Sequence, residues 1–251
     1  MLVMGILNVT PDSFADGGRH NDFDAAISRG LEMIAEGVDI IDIGGESTRP
    51  GADRVSEEEE IARTIPVITE LAKHGATISI DTMRATTAAT AINAGATIIN
   101  DVSGGLADNT MLQTAARLQV PYIAMHWRGQ SKDMNSKAIY DDVVNEVIAE
   151  LNERIDAALD AGIDKDKLII DPGIGFAKDA EHNWAIIDSI EEFVAMGYPV
   201  LVGASRKRFL GGESPDEREQ ATIELTKRLG ATGIWAVRVH SVKPHKEVLS
   251  S

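Results

Sequence analysis

Gly75-Ala76-Thr77-Ile78-Ser79-Ile80-Asp81 is echoed downstream by Gly95-Ala96-Thr97-Ile98-Ile99-Asn100-Asp101. Each stretch reads as a helix-ending glycine, a short apolar strand and a polar residue where the strand stops. The rhythm extends in both directions. Apolar runs end near Asn8, Glu46, Asp81, Asn100, His126, Asp171, Ser205 and His240, with helically spaced segments between them. This alternation predicts an α/β fold: a (β/α)8 TIM barrel, a single domain over residues 1–251, with its active site at the C-terminal rim of the strands.

The other strands are expected at residues 3–9, 38–43, 120–125, 168–170, 200–202 and 234–239. Ile27, Leu31, Ile34 and Val38 share one helical spacing. Ile61, Ile65, Ile68 and Leu71 share another, and Val144, Ile148, Leu151, Ile155 and Leu159 a third. Ser56 followed by Glu59 reads as a capping box, and Glu57 to Glu60 as first-turn acids that suit the helix dipole. Pro66, Pro121 and Pro199 are expected at element edges. Residues 242–251 are short for a final barrel helix.

The chain has 251 residues, 43% hydrophobic and 25% charged, as in an ordinary soluble domain. Lys and Arg number 24 against 40 Asp and Glu, for a net charge of -16. So acidic a surface argues against a nucleic-acid partner, and a phosphate ligand would need a local basic pocket. No cysteine is present, and no His/Cys/Asp cluster has zinc spacing. Met1-Leu2-Val3-Met4-Gly5 lacks a basic region, and its apolar run meets Asn8 too soon for a secretion signal. No run approaches the roughly 18 apolar residues of a membrane span. A cytoplasmic protein is expected. Gly44-Gly45 and Gly104-Gly105 are not a dinucleotide fingerprint, which argues against NAD.

The strand-end residues sort by chemistry. Asp81, Asn100 and Asp171 place two carboxylates and an amide at one mouth, a set that can read a heterocycle rich in N–H groups. A salt bridge from Asp81 to Arg84 is the plainer alternative. Asn100 and Asp101 alternate, so Asp101 should face away. Pro172 to Lys178 supplies glycines, an aromatic and a base for close approach to a flat ligand. Ser205-Arg206-Lys207-Arg208 puts successive cations at a helix start, where they oppose the dipole and so suggest function. Arg238 and His240 point the same way beside Asn8, a set able to hold a phosphate and Mg²⁺. Arg49, in the loop after the second strand, can recognise a carboxylate. His126 reads as a support.

These stretches resemble the bacterial dihydropteroate synthases. The resemblance rests on Met4-Gly5-Ile6-Leu7-Asn8-Val9-Thr10-Pro11-Asp12-Ser13-Phe14, Gly44-Gly45-Glu46-Ser47-Thr48-Arg49-Pro50-Gly51 and Ser79-Ile80-Asp81-Thr82. It continues through Ile99-Asn100-Asp101-Val102, Asp171-Pro172-Gly173-Ile174-Gly175-Phe176, Gly203-Ala204-Ser205-Arg206-Lys207 and Arg238-Val239-His240. The resemblance implies a barrel that joins 4-aminobenzoate to 6-hydroxymethyl-7,8-dihydropterin diphosphate and releases pyrophosphate, a sulfonamide target and a homodimer. It assigns the pterin to Asp81, Asn100, Asp171 and Lys207, walled by Val102, Met125, Phe176 and Gly203. Pyrophosphate falls to Asn8, Arg238 and His240, with Mg²⁺ on Asn8. The aminobenzoate falls to Phe14, Thr48, Arg49, Pro50, Ser205 and Lys207, with Asp16 on the first loop. Asp81, Asp171, Lys207, Arg238 and His240 are the implied catalytic set.

Two positions depart from the family pattern. Ser241 stands where an Asp is usual, which is expected to weaken the positioning of Arg238, and Ala15 replaces a Ser. A pterin-dependent methyltransferase would share the ring readers, but it gives no reason for the Arg238/His240 site. A binding paralogue without turnover is the other alternative.

Overall fold

A computed structural model of the chain describes residues 1–10, 18–46, 54–129 and 134–250. Its strands are β1 (Leu2–Asn8), β2 (Ile40–Gly44), β3 (Ile78–Asp81), β4 (Ile98–Asp101), β5 (Tyr122–Met125), β6 (Leu168–Asp171), β7 (Leu201–Val202) and β8 (Ala236–Val239). All pair in parallel, in the order β6-β5-β4-β3-β2-β1-β8-β7. A bridge between Ile170 and Val200, with Ile170 N–H donating 2.9 Å to the Pro199 carbonyl, joins the two ends. The result is the expected (β/α)8 barrel. The helices are α1 (Gly18–Ala35), α2 (Glu57–Ala72), α3 (Ala85–Ala94), α4 (Met111–Leu118), α5 (Val143–Asp160), α6 (Ala180–Asp188), α7 (Ile190–Val194), α8 (Glu217–Leu229) and α9 (Lys243–Ser250).

Parallel strands are covered on both faces, so they read as near-continuous apolar runs. Their two faces feed separate cores. Met4, Ile40, Ile98, Ile123, Ile169, Leu201 and Ala236 plug the barrel interior. Leu7, Ile41, Ile43, Ile80, Ile99 and Tyr122 pack outward against the helices. Each such side chain contributes about 1.5–3 kcal/mol on burial. Gly30 lets α1 lie against α2, because a Cβ there would sit 2.5 Å from a Leu71 methyl.

Several local expectations are corrected. Pro66 lies inside α2 rather than at its edge; it is exposed, so its ring meets solvent. Ser56 Oγ does accept from Glu59 N–H at 3.2 Å, as a cap should. Glu60 is not a solvated first-turn acid: it is 1% exposed and ion-paired with Arg84. On α5 the buried line is Val143, Val147, Leu151, Ile155 and Ala158, one residue round from the expected stripe at Val144, Ile148 and Leu159. The apolar stripe there is two residues wide, so periodicity alone leaves its centre open. Leu31 is likewise exposed, and Ala26 and Met33 carry the buried face of α1. The final helix is present but spans only Lys243–Ser250.

Candidate active site

The site is built upward from the interior plug. Strand register sets Asn8 beside Gly44, Gly44 beside Asp81, and Asp81 beside Asn100, so these residues form one layer at the rim. One layer below, Ile6 lies beside Asp42 and Asp42 beside Ser79. Arg238 starts lower still, opposite Met4. Its side chain climbs through these layers: Nε donates to Asp42 Oδ2 at 2.6 Å and Nη2 to Asp81 Oδ2 at 2.7 Å. Asn100 Nδ2 donates to the same Asp42 oxygen at 3.0 Å.

The expected ring readers Asp81 and Asn100 are therefore held by an ionic cluster whose centre, Asp42, sequence reasoning did not single out. Asp81 does make a salt bridge, but to Arg238; Arg84 pairs with Glu46 and Glu60 instead. Burial pushes the Asp81 carboxyl well above the usual carboxylate range, and the Arg238 guanidinium pulls it back. Burial works against the Arg238 charge too, but Asp42 and Asp81 outweigh it and raise its pKa.

Asp171 ends β6 across the mouth. Its Oδ1 accepts the Gly173 N–H at 2.7 Å, while Oδ2 lies on the Gly203 side, 4.0 Å from where a Gly203 Cβ would stand. Burial raises this carboxyl; the Gly173 amide, Lys207 and Arg238 counter it. Lys207 donates to the Ile174 carbonyl, and its Nζ stands 4.6 Å from the centre of the Phe176 ring. Burial lowers its pKa to about 8, against the pull of Asp171. Val102 and Met125 form one apolar cluster with Met83, and Phe176 packs on its edge, so three of the four expected wall residues come together, Gly203 lying outside the cluster. Met83 is an addition to it. A flat ring entering this mouth would meet a carboxylate on one side, an amide and carboxylate on the other, an apolar wall and a cation.

The three cations after β7 separate. Lys207 reaches the mouth and Arg208 is exposed. Arg206 turns back, bonded to Glu219 and, at 2.7 Å, to Ser241 Oγ. Its backbone has φ 57, pinned by Thr222 Oγ1 on its N–H and by Arg218 on its carbonyl. Ser241 therefore serves Arg206, and Arg238 is positioned from below by Asp42 and Asp81. The expected weakening at Arg238 does not arise from this departure.

His240 faces Ser205. Ser205 Oγ accepts the His240 backbone N–H at 3.2 Å and lies 2.9 Å from Nδ1, so its own proton is available to that nitrogen. Arg238 is turned to the floor, on Asp42 and Asp81, while His240 meets Ser205 of the β7 loop. Among the described residues, no group of three or more His, Cys, Asp or Glu could hold a metal. The Asn8 carboxamide oxygen and Asp81 Oδ2, the latter bonded to Arg238, flank Gly44, 3.7 and 3.6 Å from where its Cβ would stand. Such hard oxygens suit Mg²⁺, which keeps most of its waters. Asp101 faces away as expected, accepting from Ser103, Gly105 and the Tyr122 hydroxyl. His126 is a support, placed between Glu150 and Lys178. Phe14, Asp16, Thr48, Arg49 and Pro50 lie outside the described residues.

Residues 4–240 match the family model of the pterin binding enzymes. The chain belongs to that family. It is 49% identical to a dihydropteroate synthase of Mycobacterium leprae, over 98% of this chain and 90% of that one. Among solved structures, the dihydropteroate synthase of Xanthomonas albilineans with 4-aminobenzoic acid is 43% identical, with a TM-score of 0.93 over 99% of this chain and 90% of that one. The same enzyme in complex with 7,8-dihydropteroate superposes with a TM-score of 0.90 at 40% identity, over 99% and 91%. For a pterin binding enzyme the mouth is apt. Its carboxylates and amide match an aminopyrimidine edge, and its wall matches a flat bicyclic ring.

Proposed function

We infer that this chain is a dihydropteroate synthase, joining 4-aminobenzoate to 6-hydroxymethyl-7,8-dihydropterin diphosphate with release of pyrophosphate. The observation that carries the reading is the mouth itself: Asp81, Asn100 and Asp171 ring a pocket walled by Val102, Met125 and Phe176, with the Lys207 cation above it. The reaction is substitution at the pterin methylene carbon. The bond from that carbon to the diphosphate oxygen breaks, and the electron pair leaves with pyrophosphate. The arylamine nitrogen bonds to the carbon and loses a proton.

Asp171 and Asp81 bind the N–H edge of the ring and offset positive charge that spreads into it as the leaving group departs. Lys207 caps the ring and lies towards the incoming amine. His240, oriented by Ser205, would present an N–H group to the diphosphate, and Arg238, held by Asp42 and Asp81, would add its positive charge from the floor of the mouth. Mg²⁺, held on Asn8, would supply charge neutralisation on the departing pyrophosphate. The arylamine needs placement more than a strong base. Thr48, Arg49, Pro50 and Phe14 are proposed, with Ser205 and Lys207, to frame the aminobenzoate. The same reading proposes a cytoplasmic homodimer, which sedimentation velocity tests for assembly. No helix among the described residues is long and apolar enough to cross a membrane.

The deciding assay mixes purified protein with the pterin diphosphate, 4-aminobenzoate and Mg²⁺, then measures dihydropteroate and pyrophosphate. Both products in equal amounts support the reading. Pterin binding without product would reject it in favour of a binding paralogue or a pterin-dependent methyltransferase.

A further inference from the structure

Behind the Asp171 loop runs a file of side chains that the reaction above does not use. Lys178, 8% exposed, lies beneath the loop. Its Nζ is 3.1 Å from the carbonyl oxygens of both Gly173 and Phe176, and 2.9 Å from His126 Nδ1. His126 Nε2 lies 2.9 Å from Glu150 Oε2. Arg128 Nε is 3.0 Å from each oxygen of that carboxylate, and its guanidinium lies over the Tyr140 ring at 3.8 Å.

An inventory of protons fixes the file. Partial burial would raise the Glu150 carboxyl, but bonds from His126 and Arg128 hold it at about 2, so it only accepts. His126 Nε2 must therefore carry a proton. Burial and the nearby Lys178 charge lower the imidazole to about 4, so the ring is neutral and Nδ1 is an acceptor. Lys178 then faces three acceptors at once. An ammonium has three N–H donors; a neutral amine would turn its lone pair on one of the acceptors. Burial lowers the Lys178 pKa to about 7; of the charged groups around it, Asp171 and Glu150 favour its charge, while Lys207 and Arg128 oppose it, and the three acceptors at Nζ favour the ammonium.

The loop needs such an anchor. Gly173, Gly175 and Ala177 have φ of 68, 79 and 47, and an alanine adopts that region only under strain. On the opposite face, Lys207 takes the Ile174 carbonyl and stands over Phe176.

We propose that Glu150, His126 and Lys178 are positioning residues acting as one relay: the carboxylate selects the imidazole tautomer, the tautomer demands a cation at Lys178, and that cation shapes the Gly173–Ala177 loop that presents Phe176 and seats Lys207. The relay acts on the ring pocket and so rests on the pterin reading above.

The test uses the full chain and measures pterin binding directly, by quenching of pterin fluorescence, alongside the KM of each substrate. Lys178→Met raises the dissociation constant of the pterin by at least about tenfold, a loss of about 1.4 kcal/mol. The KM for 4-aminobenzoate rises by less than the pterin dissociation constant, because, of the described residues of the aminobenzoate frame, only Lys207 leans on this loop. Glu150→Gln can donate to Nε2; it moves the ¹⁵N signature of His126 from the Nε2–H to the Nδ1–H tautomer and weakens pterin binding. Glu150→Asp restores both. Wild-type pterin binding in a folded Lys178→Met protein overturns the relay, as does an unchanged tautomer in Glu150→Gln. Should Lys178→Met fail to fold, the tautomer and binding of Glu150→Gln decide. If the wild-type chain binds the pterin but makes no dihydropteroate, the proposed reaction fails while the binding measurements still judge the relay.

Discussion

Asp42→Asn tests the floor of the site, because it keeps the shape of the side chain and removes its charge. Asp42 Oδ2 is the shared acceptor of Arg238 and Asn100, at 2.6 and 3.0 Å, and Oδ1 has no partner. An asparagine that keeps its oxygen toward Arg238 and Asn100 leaves a buried NH₂ in the Oδ1 position. The bond from Arg238 drops from charge-assisted to ion–neutral, a loss of about 1–1.5 kcal/mol, and the orphaned amide costs about 1–3 kcal/mol more. Relief of repulsion with Asp81 works the other way, since Asp42 raises the Asp81 pKa. The net expectation is a loss of about 2–4 kcal/mol, or a fall in Tm of roughly 5–15 °C for a chain of this size. Thermal unfolding by circular dichroism reads the stability. Pterin KM reads the site, and it should rise because Asn100 and Arg238 lose their common anchor. A Tm within about 1 °C of wild type, where about 5 °C or more is expected, together with an unchanged pterin KM, would refute the idea that Asp42 organises the floor.

Lys207→Ala and Asp171→Asn should each lower turnover at least about tenfold, about 1.4 kcal/mol in barrier, with the fold retained by circular dichroism; wild-type rates in both would remove them from the site. Gly175→Ala should impair pterin binding, since φ is +79 and a Cβ would sit 2.7 Å from Lys207 Cδ; unchanged binding would show that Lys207 can move aside freely. The Lys207 charge is present below about 8 and is lost above it, so kcat/KM for the pterin substrate should fall as pH rises through that value. Lys207→Arg, which stays charged, should move the fall to higher pH, and an identical profile would exclude Lys207 as its source. The His126 pKa is depressed to about 4 from 6.5. The unfolded chain therefore takes up that proton first, and stability from this group, complete above about 6.5, is lost as pH falls towards 4. Urea midpoints across that range in wild type and His126→Asn should differ in slope; equal slopes would count against it.

The fold was legible because each strand is a short apolar run closed by a polar residue, and parallel strands buried on both faces leave little else to read. Asp81, Asn100 and Asp171 were legible for the same reason: they sit where the runs stop. Asp42 was missed because it lies within a run, between Ile41 and Ile43. The available signal was its isolation, since a carboxylate among isoleucines demands a partner. Lys178 hid as an ordinary loop cation; nothing local announces that its carbon chain runs inward. Neither the turn of Arg206 away from the mouth nor the pairing of Arg84 with Glu60 could be read locally. Both depend on residues that only the closed barrel brings together.

The barrel has a seam. Between β6 and β7 the ladder is reduced to the Ile170–Val200 bridge, whereas β1 and β2 are paired along their length. Asp171 stands on one lip of that seam and Lys207 beyond the other. A ring gripped by both works as a clasp, doing across the gap what backbone bonds do elsewhere. Ligand occupancy then becomes part of the closure of the fold. Amide protons of β6 and β7 should gain more protection from exchange on pterin binding than those of β1 and β2, so that substrate tightens the protein along the line where it is least tied.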